Sequence, residues 1–189
     1  MRLNNENITN RERRLSARTV VKGILSWVLW IASAVAVAFV INKAILVNAM
    51  VVSGSMEQTI MTGYRVLGNR LNYLFQEPQR LDIIVFLYPD DPDELPFVKR
   101  IIGLPGETVE IIAGTVYIND EPLDESMYMH EDMFGSYGPY VVPEGAFFVL
   151  GDNRNNSKDS RDWNEKYVPT NNILGKVYFR IFPSFGIIR

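Results

Sequence analysis

Asp82-Ile83-Ile84-Val85-Phe86-Leu87-Tyr88 runs into Pro89 and the acidic loop Asp90-Asp91-Pro92-Asp93-Glu94, and Phe97-Val98-Lys99-Arg100-Ile101-Ile102 follows. The first run is apolar almost throughout and strand-length, which predicts a strand buried on both faces. Pro89 and the acidic loop end it. The second run predicts the next strand, on which alternation puts Phe97, Lys99 and Ile101 on one face. Lys99 is the only lysine between Lys43 and Lys158. An ordinary lysine is neutral well under ~0.1% of the time at pH 7, but burial among apolar neighbours lowers its pKa by several units. The residues that indicate a sheet therefore also hold a candidate base.

Downstream, Gly103-Leu104-Pro105-Gly106-Glu107 turns the chain. Thr108 to Ile112, Ala113-Gly114 and Thr115 to Ile118 read as a hairpin, with Asn119-Asp120 opening a second turn. Residues 120–143 are the least regular and read as an inserted loop or small subdomain. Ala146 to Leu150 predicts a further strand, and Val177 to Phe182 a final one. The sequence contains no internal repeat. The expected fold class is mainly β, an antiparallel domain over residues 43–189.

Upstream, Gly23 to Asn42 is twenty residues without a charge. As a helix it covers roughly 30 Å, the thickness of a bilayer core. Trp27 and Trp30 lie near its basic end, where interfacial aromatics belong. Residues 1–43 carry seven basic and two acidic groups, and residues 44–189 carry twelve and twenty, so a net charge of −3 hides a basic leader and an acidic domain. The positive-inside rule then predicts a cytoplasmic tail (1–22), a transmembrane helix (23–42) and an extracytoplasmic domain (43–189). Nothing in that domain has the clustered basic footprint of a nucleic-acid binder. Val47-Asn48-Ala49 has the small-residue spacing of a signal-cleavage site, but it lies well past the apolar run, so an uncleaved anchor is the better reading.

The chain has no cysteine, which excludes disulfides, thiolate metal sites and a thiol nucleophile. Its one histidine, His130, rules out multi-histidine metal centres. Flanked by Met129 and Glu131 outside any motif, His130 reads as a solvated loop residue. About ten residues beyond the apolar run stands Ser53-Gly54-Ser55-Met56. A serine nucleophile needs a base, and with histidine unpromising, Lys99 is the candidate.

Four segments in order, Ser53-Gly54-Ser55-Met56, Arg80 to Phe86, Lys99 to Glu107 and Gly151-Asp152-Asn153-Arg154-Asn155-Asn156-Ser157-Lys158-Asp159-Ser160-Arg161, resemble the motif boxes of type I signal peptidases. The single anchor and short ectodomain are similar to the Gram-positive branch. The resemblance implies that Ser55 is the nucleophile and Lys99 the general base. It also implies that the Ser55 N–H and Ser53 hydroxyl form the oxyanion hole, and that Ser157 orients the Lys99 amine. Val51, Met56, Ile60, Phe97 and Val98 would line shallow pockets for small residues at −1 and −3 of the substrate. Asp152, Asn153, Asp159 and Arg161 would be structural support. Gly54 would let the backbone approach the substrate. No metal or other cofactor is implied, and the implied partners are signal-peptide-bearing preproteins, the lipid bilayer and the secretion translocon. Two alternatives stay open: a Ser-Lys peptidase with one dedicated client, and an anchored scaffold without catalysis. The sequence departs from the pattern at Val52 and Gln58, where proline is common, at Leu81, where glycine is usual, and at Asn155, where aspartate is usual.

Overall fold

The computed structural model describes residues 2–93, 95–129 and 131–188, with side chains from residue 20 onward, so His130 lies outside the described residues. The chain divides into two units, Met1–Lys43 and Ala44–Arg189. The first is a helix, α1 (Arg2–Ala44). Within it Val20–Ala44, 25 residues at mean hydropathy 2.5, is long and apolar enough to cross a membrane and contains the predicted 23–42 span. Its large side chains from Val20 to Ile41, Trp27 and Trp30 included, are exposed. A helix apolar all round is suited to lipid rather than to one side of a soluble core.

The second unit is built from two antiparallel sheets. Its strands are β1 (Leu46–Met50), β2 (Arg65–Asn69), β3 (Ile83–Leu87), β4 (Pro96–Gly103), β5 (Thr108–Ile112), β6 (Thr115–Ile118), β7 (Glu121–Pro122), β8 (Tyr137–Val141), β9 (Ala146–Leu150), β10 (Val168–Pro169), β11 (Ile173–Phe182) and β12 (Gly186–Ile187). The larger sheet runs β1-β2-β11-β3-β4-β9-β10 with β12 on β11, and the smaller runs β7-β6-β5-β8.

β3 lies at the centre, and its unbroken apolar run has a direct cause. Ile83 and Val85 join one core with Val47, Ala49, Val51, Met56, Ile60, Val66 and Val177. Ile84 and Phe86 join another with Ile101, Phe147, Val149, Trp163 and Val168. Both faces are buried, so neither alternate position is free to be polar. β4 pairs with β3 so that Lys99 stands opposite Ile84 and Val98 opposite Val85. The lysine is thus set between strands that otherwise carry hydrocarbon.

The predicted hairpin forms as β5 and β6, with Ala113 and Gly114 both at positive φ, the mirror-image turn that matches strand twist. Residues 120–143 contribute β7 and β8 to the smaller sheet and bury Tyr128 and Met133. β11 begins at Ile173, four residues earlier than the predicted start, and is bulged against both neighbours. Val47-Asn48-Ala49 lies in β1 paired with β2, with Val47 and Ala49 in the core, so cleavage after Ala49 would cut a sheet strand.

Candidate active site

Ser55 sits on a 3-10 turn, Gly54–Met56, entered from an extended Ser53. Burial of Val51, Met56 and Ile60 pins the turn from below. Bonds from Val51 N to the Tyr64 carbonyl (2.9 Å) and from Ile60 N to the Met56 carbonyl (2.7 Å) close the loop behind it. The first N–H groups of such a turn have no acceptor inside it, which leaves the Ser55 N–H available to an incoming oxygen. The Ser53 hydroxyl lies 3.3 Å from Ser55 Oγ, on the same side as the nucleophile.

Lys99 Nζ lies 2.5 Å from Ser55 Oγ, and Lys99 is 2% exposed. Burial is the main cause lowering its pKa from 10.5 to about 8. The Asp159 and Asp152 carboxylates pull it back up, and the Arg161 guanidinium pushes it down. The amine is therefore neutral in a sizeable fraction of molecules near pH 8, which a solvated lysine is not.

A third element, the polar loop from Gly151 to Arg161, fixes the other two. Asn153 donates from its backbone N to the Ser55 carbonyl (3.0 Å) and from Nδ2 to the Gly54 carbonyl (2.9 Å). Asp152 takes a two-pronged bond from Arg100, Nε to Oδ1 at 2.8 Å and Nη2 to Oδ2 at 2.7 Å, with both side chains almost wholly buried. Thr59 Oγ1 adds a third bond to Asp152. Asp159 accepts from Gly151 N, Ser157 Oγ and Arg161 Nε and Nη2, so one carboxylate ties together the ends of the loop. Asp152, Asn153, Asp159 and Arg161 each enter these bonds.

Ser157 departs from its expected role. Its hydroxyl donates to Asp159 Oδ2 (2.7 Å) and makes no hydrogen bond to Lys99. Nevertheless it lines the same cavity of about 490 Å³ as Ser53, Ser55, Phe97 and Lys99. Gly151 is what lets the parts close. A Cβ there would overlap Ser157 Oγ and the Ser55 carbonyl oxygen. Gly151→Ala is expected to fold but to misplace the catalytic turn, with kcat down about a hundredfold, the scale of a 1 Å error in positioning. Peptide-cleavage kinetics beside circular dichroism would check it.

The predicted pocket residues do not all come together. Val51, Met56 and Ile60 share a core with Val98, whereas Phe97 packs on the opposite core with Trp163. Val51, Met56 and Ile60 are at most 5% exposed, so they form floor rather than wall. Gly54 has only the flexible Glu57 carboxylate against its missing side chain.

Two sequence departures are conformational. Leu81 holds φ 70°, a left-handed geometry that glycine adopts freely and that costs another residue roughly 1–2 kcal/mol. Gln58 holds φ 79°, which a proline ring cannot reach. Asn155 accepts from Phe134 N (3.0 Å) and donates to the Asp132 carbonyl (2.9 Å), a pairing that an ionised aspartate could fill only by half.

Arg154 and Glu125 were not among the expected site residues. Arg154 reaches the Gly151 carbonyl with Nε and grips Glu125 with Nη1 and Nη2. Tyr128 also donates to Glu125, and its ring lies 4.0 Å under the Arg100 guanidinium. The irregular segment thus braces the polar loop. The one available signal was an arginine inside a motif box, and Asp152 and Asp159 close by in sequence gave no hint that its partner is Glu125.

A family model described as "Signal peptidase, peptidase S26" matches residues 24–182. A signal peptidase I of Leptolyngbya laminosa is 44% identical over 137 residues, 69% of this chain and 66% of that protein. The match thus spans just under two thirds of that relative. Signal peptidase IB of Staphylococcus aureus (strain COL) is 33% identical over 180 residues, covering 86% of this chain and 91% of that one. A crystal structure of a signal peptidase I from Enterococcus faecalis V583 aligns at 36% identity and a TM-score of 0.45, over 53% of this chain and 97% of that one.

Proposed function

The chain belongs to the signal peptidase family, peptidase S26, and we propose that it is a membrane-anchored serine endopeptidase that removes N-terminal signal peptides from exported preproteins. The observation that carries this reading is the buried Lys99 amine 2.5 Å from the Ser55 hydroxyl. Neutral Lys99 accepts the Ser55 proton as Oγ attacks the scissile carbonyl. The oxyanion is met by the Ser55 N–H and the Ser53 hydroxyl. The Lys99 ammonium returns its proton to the leaving amine, and Lys99 then activates the water that releases the acyl group. Ser157 acts at one remove, as cavity wall held by Asp159.

The bilayer enters through α1, and the basic leader supports a cytoplasmic N-terminus with the catalytic unit outside. Preproteins would arrive there from the secretion translocon.

Ser55→Ala should lower preprotein cleavage by about ten-thousand-fold or more while leaving the fold intact. Ser53→Ala should cost about a hundredfold, the loss of one oxyanion donor. Steady-state cleavage of a precursor with an Ala-x-Ala site measures both, and wild-type rates in Ser55→Ala would refute the reading.

A further inference from the structure

Beyond the catalytic cavity the groove continues into a second cavity of about 330 Å³, and the two share Phe97 and Lys158. Its inner wall is aromatic and rigid. Tyr88 stacks on Trp163 at 4.4 Å between ring centroids, and Phe97 meets Trp163 edge-on at 6.0 Å. Its rim carries Asp90, Asp91 and Asp162 against the single ammonium of Lys158. Asp91 is committed to the backbone N–H groups of Asp93 and Leu95. Among the described residues Asp90 accepts only a long 3.3 Å bond, from the Tyr88 hydroxyl. The Asp162 side chain is exposed and enters no hydrogen bond or salt bridge among the described residues, with the Arg161 guanidinium as its nearest charge influence.

Resting on the proposed dyad, we infer that this cavity is a specificity subsite for a basic side chain among the first three substrate residues after the scissile bond. The side of the cut follows from the sheet. Small residues at −1 and −3 would sit over Val51, Met56, Ile60 and Val98, which share one core with Ile83 and Val85 of β3. A peptide passing Ser55 leaves in the opposite direction, toward Phe97, Lys158 and the second cavity. The chemistry follows from the lining. An apolar stem lies along Tyr88 and Phe97, and a cationic end meets two carboxylates that have no strong partner. An acidic side chain would meet the same carboxylates unfavourably.

The test uses the full-length chain in detergent micelles and peptides with alanine at −1 and −3. Lys, Gln or Glu is placed in turn at +1, +2 and +3. At one of these positions kcat/KM should be about five- to tenfold higher for Lys than for Glu at low ionic strength, the scale of solvated charge pairs acting together. Salt should shrink that ratio. In Asp90→Asn/Asp162→Asn the ratio should fall toward one, whereas Glu110→Gln, which removes a charge from the smaller sheet, should leave it unchanged. Equal kcat/KM for Lys and Glu at all three positions overturns the inference. So does a ratio that survives the double substitution, or one that Glu110→Gln abolishes equally. Failure to cleave even the Gln peptides would instead overturn the dyad reading, and the inference with it.

Discussion

Lys99→Met is expected to abolish cleavage, by about a thousand- to ten-thousand-fold in kcat/KM, and at the same time to make the protein more stable at neutral pH. Both effects come from one fact, a cationic side chain placed where charge is unwelcome. Lys99 has its pKa lowered from 10.5 to about 8, so at roughly 1.4 kcal/mol per pH unit its charged form costs the fold about 3 kcal/mol. The sign follows from proton counts. Between pH 8 and 10.5 the unfolded chain holds a proton on Lys99 that the folded chain has lost, so stability rises with pH across that window. Below pH 8 both states are protonated and the full cost is present. Methionine keeps the length and apolar contacts without the charge. Its gain over wild type should therefore be greatest below pH 8 and gone above about 10.5, as denaturant unfolding at several pH values would measure. Wild-type kcat/KM should fall tenfold per pH unit on the acid side of about 8, because only neutral Lys99 accepts the Ser55 proton. A flat profile between pH 6 and 8 would contradict the assignment of Lys99 as base.

Asp152→Leu should cause the largest loss of stability of any single change proposed. Arg100 and Asp152 are 3% and 1% exposed at their side chains, and each makes two bonds to the other. Removing the carboxylate leaves a buried guanidinium and the Thr59 hydroxyl unpaired, at a cost of about 3–5 kcal/mol. For a unit of this size that lowers Tm by roughly 10–15 °C. The double substitution Arg100→Leu/Asp152→Leu should lose less than the sum of the two single ones, because it leaves no orphaned ion. Arg100 would still leave behind the Leu81 carbonyl and the Tyr128 ring it contacts, so recovery should be partial. Thermal unfolding of the four proteins in one detergent closes the cycle. Strict additivity would mean that the pair is not coupled.

Legibility in the sequence followed burial. β3, β4, β9 and the β5–β6 hairpin were readable because each is apolar on both faces or announced by a turn. β1, β2 and β8 were not, because β1 and β2 bury only alternate residues and β8, with Gly138 and Pro139 inside it, buries none fully. Apolar neighbours alone left Lys99 equally readable as a surface lysine on an edge strand, and only the ordered motif boxes pointed to a buried base, as they did to Ser55. The partner of Ser157 could not be read, since the choice between Lys99 and Asp159 depends on how the 151–161 loop folds back on itself. Likewise, Glu125 and Arg154 lie 29 residues apart with no periodic signal between them. The leucine itself does not reveal that residue 81 is left-handed, and the one hint was that glycine is usual there; the position is held by bonds from Leu81 N to the Ile101 carbonyl and from Arg100 Nη1 to the Leu81 carbonyl.

Surface loops are ordinarily where a chain accepts extra residues over evolution. The 151–161 loop is tied at its ends and middle by Asp159, Arg154 and Asn153, and Gly151 lies without clearance against the catalytic turn. A residue inserted beside Gly151 would press on the Ser55 carbonyl and shift the catalytic turn itself. The described residues of the 88–95 loop, beside the second cavity, have no such ties to the catalytic turn. New lengths can accumulate there, so substrate preference can diverge among descendants while the spacing from Gly151 to Arg161 stays fixed.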